Sequence, residues 1–103
     1  MNKVEQQFAD KFTNRYGILL LSKADAIDMV HACISQGVRV LGIDGFWLFE
    51  DAIQPSLENS VDFSSKLQQA PYLDQAFRDP IEFLKTRDDR MFFEVVCSDS
   101  PSA

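Results

Sequence analysis

Apolar positions change their spacing several times along this chain, and each change marks an element. Val4, Phe8 and Phe12 recur every fourth residue among polar neighbours. That puts one apolar stripe on a helix over about residues 2–14, with Gly17 soon after as a stop. Ile18 to Leu21 is a short apolar run and a candidate strand. Ser22 stands in an N-cap position with Asp25 three residues on, the spacing of a capping box. Ile27, Val30 and Ile34 form the next stripe, widened by Ala26 and Cys33, and Gly37 sits where a helix ends on a left-handed residue. These signals predict a helix from Lys23 to Gln36.

Beyond Gly37 the pattern becomes that of a strand. Val38-Arg39-Val40-Leu41-Gly42-Ile43 is rich in β-branched residues and reads as a central strand. Asp44-Gly45 is a two-residue hairpin signal, or an ordinary loop, and Phe46-Trp47-Leu48-Phe49 would be the return strand. Residues 50–71 are looser, with Pro55, several serines and Asn59; Val61-Asp62-Phe63 is a short candidate strand. Pro71 opens a helical stretch carrying Tyr72, Leu73, Ala76 and Phe77. Asp79-Pro80 combines an N-cap with a proline at the first helical position, so a further helix starts there and runs to about Thr86. Met91 to Cys97 is an apolar strand interrupted only by Glu94. Ser98 to Ala103 is a polar tail expected to be disordered. The order predicts an α+β fold, a mostly antiparallel sheet of roughly three to five strands with helices packed on it.

Length agrees: 103 residues make a single domain, residues 1–103, large enough for its own core. The nine Phe point to a Phe-rich core. Sixteen acidic against ten basic residues give a net charge of −6, which repels nucleic acid and anionic membrane and suits a basic protein partner. Plain solubility explains the same charge. Met1 to Glu5 has no apolar segment of a secretory leader, and Ile18 to Leu21 is far too short to span a membrane. Cys33 and Cys97 lack CxxC spacing and read as buried thiols rather than a disulfide. The expected compartment is the cytoplasm; the oligomeric state stays open.

The usual catalytic patterns are missing from the sequence. His31 and Cys33 are two residues apart on a helix and do not face one another. There is no HExxH or CxxC, Gly37, Gly42 and Gly45 do not form a nucleotide-binding loop, and Ser56 and Ser60 lack a nucleophile-elbow setting. Asp88-Asp89 reads as a polar turn. A carboxylate pair stays open, but no residue is nominated for it. The expectation is a non-enzyme with no metal and no cofactor.

The segment from Asp44 to Asp62 contains Asp44, Glu50, Asp51, Glu58 and Asp62 and no Lys or Arg. Phe46, Trp47, Phe49, Ile53 and Leu57 are interleaved with these acids. Carboxylates speed encounter with a basic partner, and aromatic side chains are the commonest binding anchors. The competing account is a half-buried hairpin whose aromatics face the core.

Ala26-Ile27-Asp28, then Gln36-Gly37-Val38-Arg39-Val40-Leu41-Gly42-Ile43-Asp44-Gly45, resembles the core of the immunity proteins that guard bacteria against tRNA-cleaving colicins. It is similar also to immunity proteins of contact-dependent growth inhibition systems. Ile53-Gln54-Pro55-Ser56 and Val61-Asp62 match more loosely, and the resemblance covers roughly residues 20–97, with Leu41 to Gly45 its specific part. It implies an inhibitor that occupies the basic cleft of a secreted toxin nuclease, acidic residues standing in for tRNA phosphates. Within the matching motif only Asp44 and the loop after it carry over; the N-terminal helix and Phe46-Trp47-Leu48-Phe49 depart from the pattern. The residues expected to bind the toxin are Asp44, Phe46, Trp47, Phe49, Glu50, Asp51, Glu58 and Asp62. Two other functions stay open: a homo-oligomeric structural or regulatory domain with Phe46 to Phe49 in its self-interface, and a small carboxylate enzyme.

Overall fold

The computed structural model describes residues 2–63 and 79–101. In chain order these form α1 (Lys3–Gln7), β1 (Thr13–Arg15), β2 (Ile18–Ser22), α2 (Lys23–Gln36), β3 (Val38–Leu48), β4 (Ile53–Asp62), α3 (Pro80–Lys85) and β5 (Phe92–Pro101). The five strands make one antiparallel sheet in the order β1-β2-β5-β3-β4. The fold is α+β, as the pattern predicts. The helical stretch expected from Pro71 lies outside the described residues.

The α2 helix follows its signals closely. The Ser22 hydroxyl accepts a hydrogen bond from the Asp25 amide at 3.2 Å, and Gly37 closes the helix at φ 70°, ψ 21°. Its buried face, however, is Ala26, Met29, Val30 and Cys33, whereas Ile34 is 61% exposed. Two of those four are small, which lets the helix lie close to the sheet. Packing has thus turned the stripe by about one residue from where the largest side chains would put it.

The α1 helix is shorter than expected. Asn2 caps it in a reciprocal box with Glu5, at 2.8 and 3.0 Å, but the helix ends after Gln7. Phe8 and Phe12 still pack on the core from the turns that follow. Residues 13–15 are a strand because Tyr16 and Gly17, at φ 55° and 83°, make a two-residue turn with positive φ at both centres. That geometry matches the twist of a hairpin, so β1 folds back on β2 with Arg15 opposite Ile18.

Asp44-Gly45 is not a turn. The β3 strand runs straight through it to Leu48, and the chain reverses at residues 49–52, where the Phe49 amide donates to the Ala52 carbonyl at 2.8 Å. The return strand is β4, which absorbs the Val61–Asp62 strand expected on its own. Gly45 is required for a different reason. A Cβ there would collide with the Asn59 carbonyl oxygen and lie 2.9 Å from Met91 Cε. Ile43 pairs with Val61 and Gly45 with Ser56, so β4 bulges between them. The bulge is held by Asn59 Nδ2 donating to Ser56 Oγ at 2.9 Å and by the Gly45 amide donating to Ser60 Oγ at 3.1 Å.

The expected tail is also strand. Ser98 to Pro101 continue β5, with Pro101 opposite Val38, and the Ser98 hydroxyl accepts from the Arg39 amide at 3.1 Å.

On one face of the sheet, α2 and α3 enclose Leu21, Ile43, Phe93 and Val95 together with Val4, Phe83, Leu84 and Met91. Fully burying each of the larger side chains stabilises by about 1.5–3 kcal/mol. Lys23 Nζ binds the two helices together, donating to the Lys85 and Arg87 carbonyls at 2.9 and 2.8 Å and to Asp89 Oδ1 at 2.8 Å. At α3's other end Asp79 caps and Pro80 starts the helix, as expected.

Candidate functional site

Residues two apart on a strand share a face. Ile43 points at the helices, so Asp44 and Phe46 point away from them; Phe93 and Val95 do likewise for Glu94 and Val96. Asp44 stands directly opposite Glu94, and Gly42 opposite Asp62 and Val96. The second face of the sheet therefore gathers Asp44, Asp62 and Glu94. Leu41, Gly42, Asp44, Val61, Asp62 and Val96 line an open depression of about 390 Å³ there.

The Asp44 and Glu94 carboxyls do not titrate as fully solvated ones do. Burial pushes the Asp44 carboxyl up, the Asp62 charge pushes it further, and a hydrogen bond with Ser60 works in the opposite sense. Burial, then the charge of Asp44, pushes Glu94 up as well. Both shifts disfavour ionisation.

Further along the same face the surface closes. Leu20 and Phe46 are both buried yet lie outside the core on the helix side. The tips of the two hairpins meet: Arg15 Nη1 donates to the Phe49 carbonyl at 3.1 Å, and the Tyr16 hydroxyl donates to the Asp51 carbonyl at 2.6 Å. Elements β1 and β3 are not neighbours in the sheet. The sheet must curl to bring their ends together.

The eight nominated residues are thereby sorted. Phe46, only 5% exposed, is a core residue and offers no anchor to a partner. Trp47 is half-buried against the helix-side core, with the Arg90 guanidinium 5.8 Å from its ring centre. Asp44 is half-buried and Asp62 exposed in the depression. Phe49, 54% exposed, stands at the hairpin tip with Glu50 and Asp51, both exposed. Glu58 is exposed in the bulged part of β4, beside Leu57, which is 89% exposed. Arg87 reaches that segment, donating to the Glu58 carbonyl at 3.4 Å and to Asn59 Oδ1 at 3.0 Å.

Against known proteins, the chain matches no family model, and no curated protein or solved structure matches it significantly.

Two residues of this surface were not nominated from sequence. Tyr16 is 75% exposed at the hairpin tip, beside Phe49 and Asp51, although it lies far from them in the chain. Its signal was the Tyr16-Gly17 pair before an apolar run, which reads as a turn once the helix is known to stop early. Glu94 was legible as the single charge in an otherwise apolar strand. Among the described residues no group of three or more His, Cys, Asp or Glu could hold a metal ion, and no helix is long and apolar enough to cross a membrane. His31 is exposed on α2. What the surface offers is two exposed aromatic rings at a hydrogen-bonded tip, flanked by carboxylates.

Proposed function

We propose that this chain is an immunity protein. It binds a cognate secreted bacterial toxin, a tRNA-cleaving nuclease, in the cytoplasm and blocks the basic cleft that holds the RNA. The observation that carries the proposal is the joined hairpin tip. Tyr16 and Phe49 are exposed next to Glu50 and Asp51, and the whole segment from Val40 to Phe63 lacks a Lys, Arg or His. Exposed rings on a cross-braced tip supply anchors at small entropic cost, and the surrounding charge steers a basic surface onto them. A nuclease must present a basic cleft to hold a phosphate backbone. The resemblance around Leu41 to Gly45 adds the toxin class.

Burial of Phe46 and half-burial of Trp47 within the chain itself leave Phe49 as the exposed aromatic of the Phe46 to Phe49 segment.

The reading frame immediately upstream of the gene supplies the test. Its C-terminal domain, purified, should be basic, should cleave tRNA, and should lose that activity at one equivalent of this chain. Glu50→Lys with Asp51→Lys should abolish inhibition while the circular dichroism spectrum is unchanged. Phe49→Ala and Tyr16→Asn should each weaken binding by roughly 30-fold or more, the loss of one anchor. Asn suits a positive-φ turn position, so the second change keeps the hairpin and removes the ring. An unrelated metabolic gene upstream, or full inhibition by the double Lys variant, would overturn the proposal.

A further inference from the structure

Cys33 lies in the last turn of α2 and Cys97 in β5, yet their thiols are hydrogen-bonded to each other. Neither is part of a disulfide. Cys33 is fully enclosed in the core, whereas Cys97 is half-buried at its edge. The Asn2 side-chain amide donates to the Cys97 sulfur at 3.0 Å and to the Ser98 carbonyl at 2.9 Å. The bond to Cys97, and then burial, push the Cys33 thiol well above its ordinary range and keep its proton on. Two donors, the Asn2 amide and the Cys33 thiol, therefore converge on the Cys97 sulfur. Donors around a sulfur favour the thiolate, the form that reacts with oxidants. The pair is asymmetric: one sulfur is reachable from solvent, the other is enclosed and in contact with it.

We propose that Cys33 and Cys97 form a modification site that hydrogen peroxide converts into an intramolecular disulfide, with Cys97 oxidised first. The Cys97 thiolate attacks one peroxide oxygen; an S–O bond forms, the O–O bond breaks, and the departing hydroxide takes up a proton as water. The Cys33 sulfur then attacks the sulfenic sulfur, forming the S–S bond and breaking the S–O bond. The hydroxide released takes the Cys33 proton and leaves as water. Two thiols and one peroxide give one disulfide and two waters, the sulfurs being oxidised and the peroxide oxygens reduced. The bond ties α2 to the central strand and closes a loop of roughly 65 residues, which restricts the unfolded chain. The reaction is independent of any partner the chain binds.

The experiment treats the folded chain with hydrogen peroxide, alkylates remaining thiols in denaturant, and maps the peptides by mass. Expected are loss of two hydrogen atoms, a linked pair of peptides containing Cys33 and Cys97, and a thermal midpoint raised on the order of 10 °C and restored by dithiothreitol. With Cys33→Ser, dimedone should label Cys97 after peroxide; with Cys97→Ser, peroxide should leave Cys33 untouched. Alkylation of both thiols after treatment, a disulfide only between chains, or dimedone on Cys33 first would overturn the proposal. The linkage map is read on the unaltered chain, so it decides the matter even where a variant fails to fold.

Discussion

Gly45 gives the sharpest test of how β3 is built, because two views of the same dipeptide predict opposite outcomes. In the structure Gly45 is an extended residue over which β4 passes closely. A methyl group added there would strike the Asn59 carbonyl oxygen and approach Met91 Cε at 2.9 Å and Asn59 Cβ at 3.0 Å. Carbonyl oxygens in a bulge cannot rotate away as a flexible side chain can. Forced overpacking of this kind costs about 1–3 kcal/mol. Moving the strands apart also weakens the 3.1 Å bond from the Gly45 amide to Ser60 Oγ, worth about 1 kcal/mol. The lower entropy of an unfolded chain with Ala in place of Gly offsets about 0.5 kcal/mol. Gly45→Ala should therefore destabilise by about 2.5 kcal/mol, lowering the thermal midpoint by roughly 10–20 °C.

Gly42→Ala is the internal control. Its Cβ would meet the Val61 carbonyl oxygen at 3.2 Å, which a shift of a few tenths of an ångström relieves, so it should cost under about 1 kcal/mol. Urea unfolding followed by circular dichroism, with equal slopes for all variants, gives the comparison directly. The discriminating variant is Gly45→Asn. In a type I′ hairpin turn Asn is among the favoured residues, and the change would be nearly free. In a closely crossed strand it is at least as harmful as Ala. A Gly45→Asn protein within about 0.5 kcal/mol of the parent would refute the strand description.

Lys23→Met keeps the apolar stem but removes a cation that donates to two carbonyls and a carboxylate. The exposed Asp89 partner contributes little, and the two carbonyls set the loss at about 2 kcal/mol by urea titration; a change below about 0.5 kcal/mol would show that water replaces the ammonium freely. The carboxyls of Asp44 and Glu94 are pushed up in the folded chain, so the fold binds more protons than the unfolded chain and loses stability as pH rises through that window. Asp44→Asn and Glu94→Gln should accordingly be more stable than the parent at pH 7 and equal to it once both carboxyls are protonated in acid; thermal melts against pH showing the reverse order would refute the sign. Asp88 runs the other way: its bonds to Arg90 hold it down at about 2, so any stability it adds is lost as pH falls towards that value, and salt should screen it.

Local chemistry made part of this fold legible. Ser22, Asp25 and Gly37 bound α2, and Asp79-Pro80 starts α3, because caps are short-range bonds that a sequence states directly. Three elements differ from the sequence reading. The stripe of Val4, Phe8 and Phe12 suits a helix, yet three apolar contacts are also satisfied by one helical turn followed by turns. The positive-φ pair Tyr16-Gly17 decided between them. Asp44-Gly45 has the composition of a turn, and only the approach of Asn59, fourteen residues on, shows why glycine is needed. Ser98 to Pro101 lack apolar residues and look frayed, but their backbone pairs with β3, and pairing is indifferent to side-chain polarity at the end of a sheet. For Gly45 and for the C-terminal strand, long-range geometry and not propensity was the missing information.

The same distinction governs the surface. In sequence, Asp44 to Asp62 reads as one acidic-aromatic ridge. Folding divides it into parts with different physical roles. Phe46 and Trp47 are taken into the protein, and Asp44 and Asp62 are set on the sheet face, where burial and then the Asp62 charge push the Asp44 carboxyl up. Glu50 and Asp51 remain exposed, where a charge acts at a distance within about 10 Å at ordinary salt. Phe49 keeps its exposure, and Tyr16, drawn from the opposite hairpin, becomes the second ring. Encounter and retention are thus assigned to different atoms. Reversing Glu50 and Asp51 should chiefly slow association and flatten its salt dependence, whereas removing the Phe49 or Tyr16 ring should chiefly speed dissociation. A surface in which all eight nominated residues acted as one unit would show no such separation in its rates.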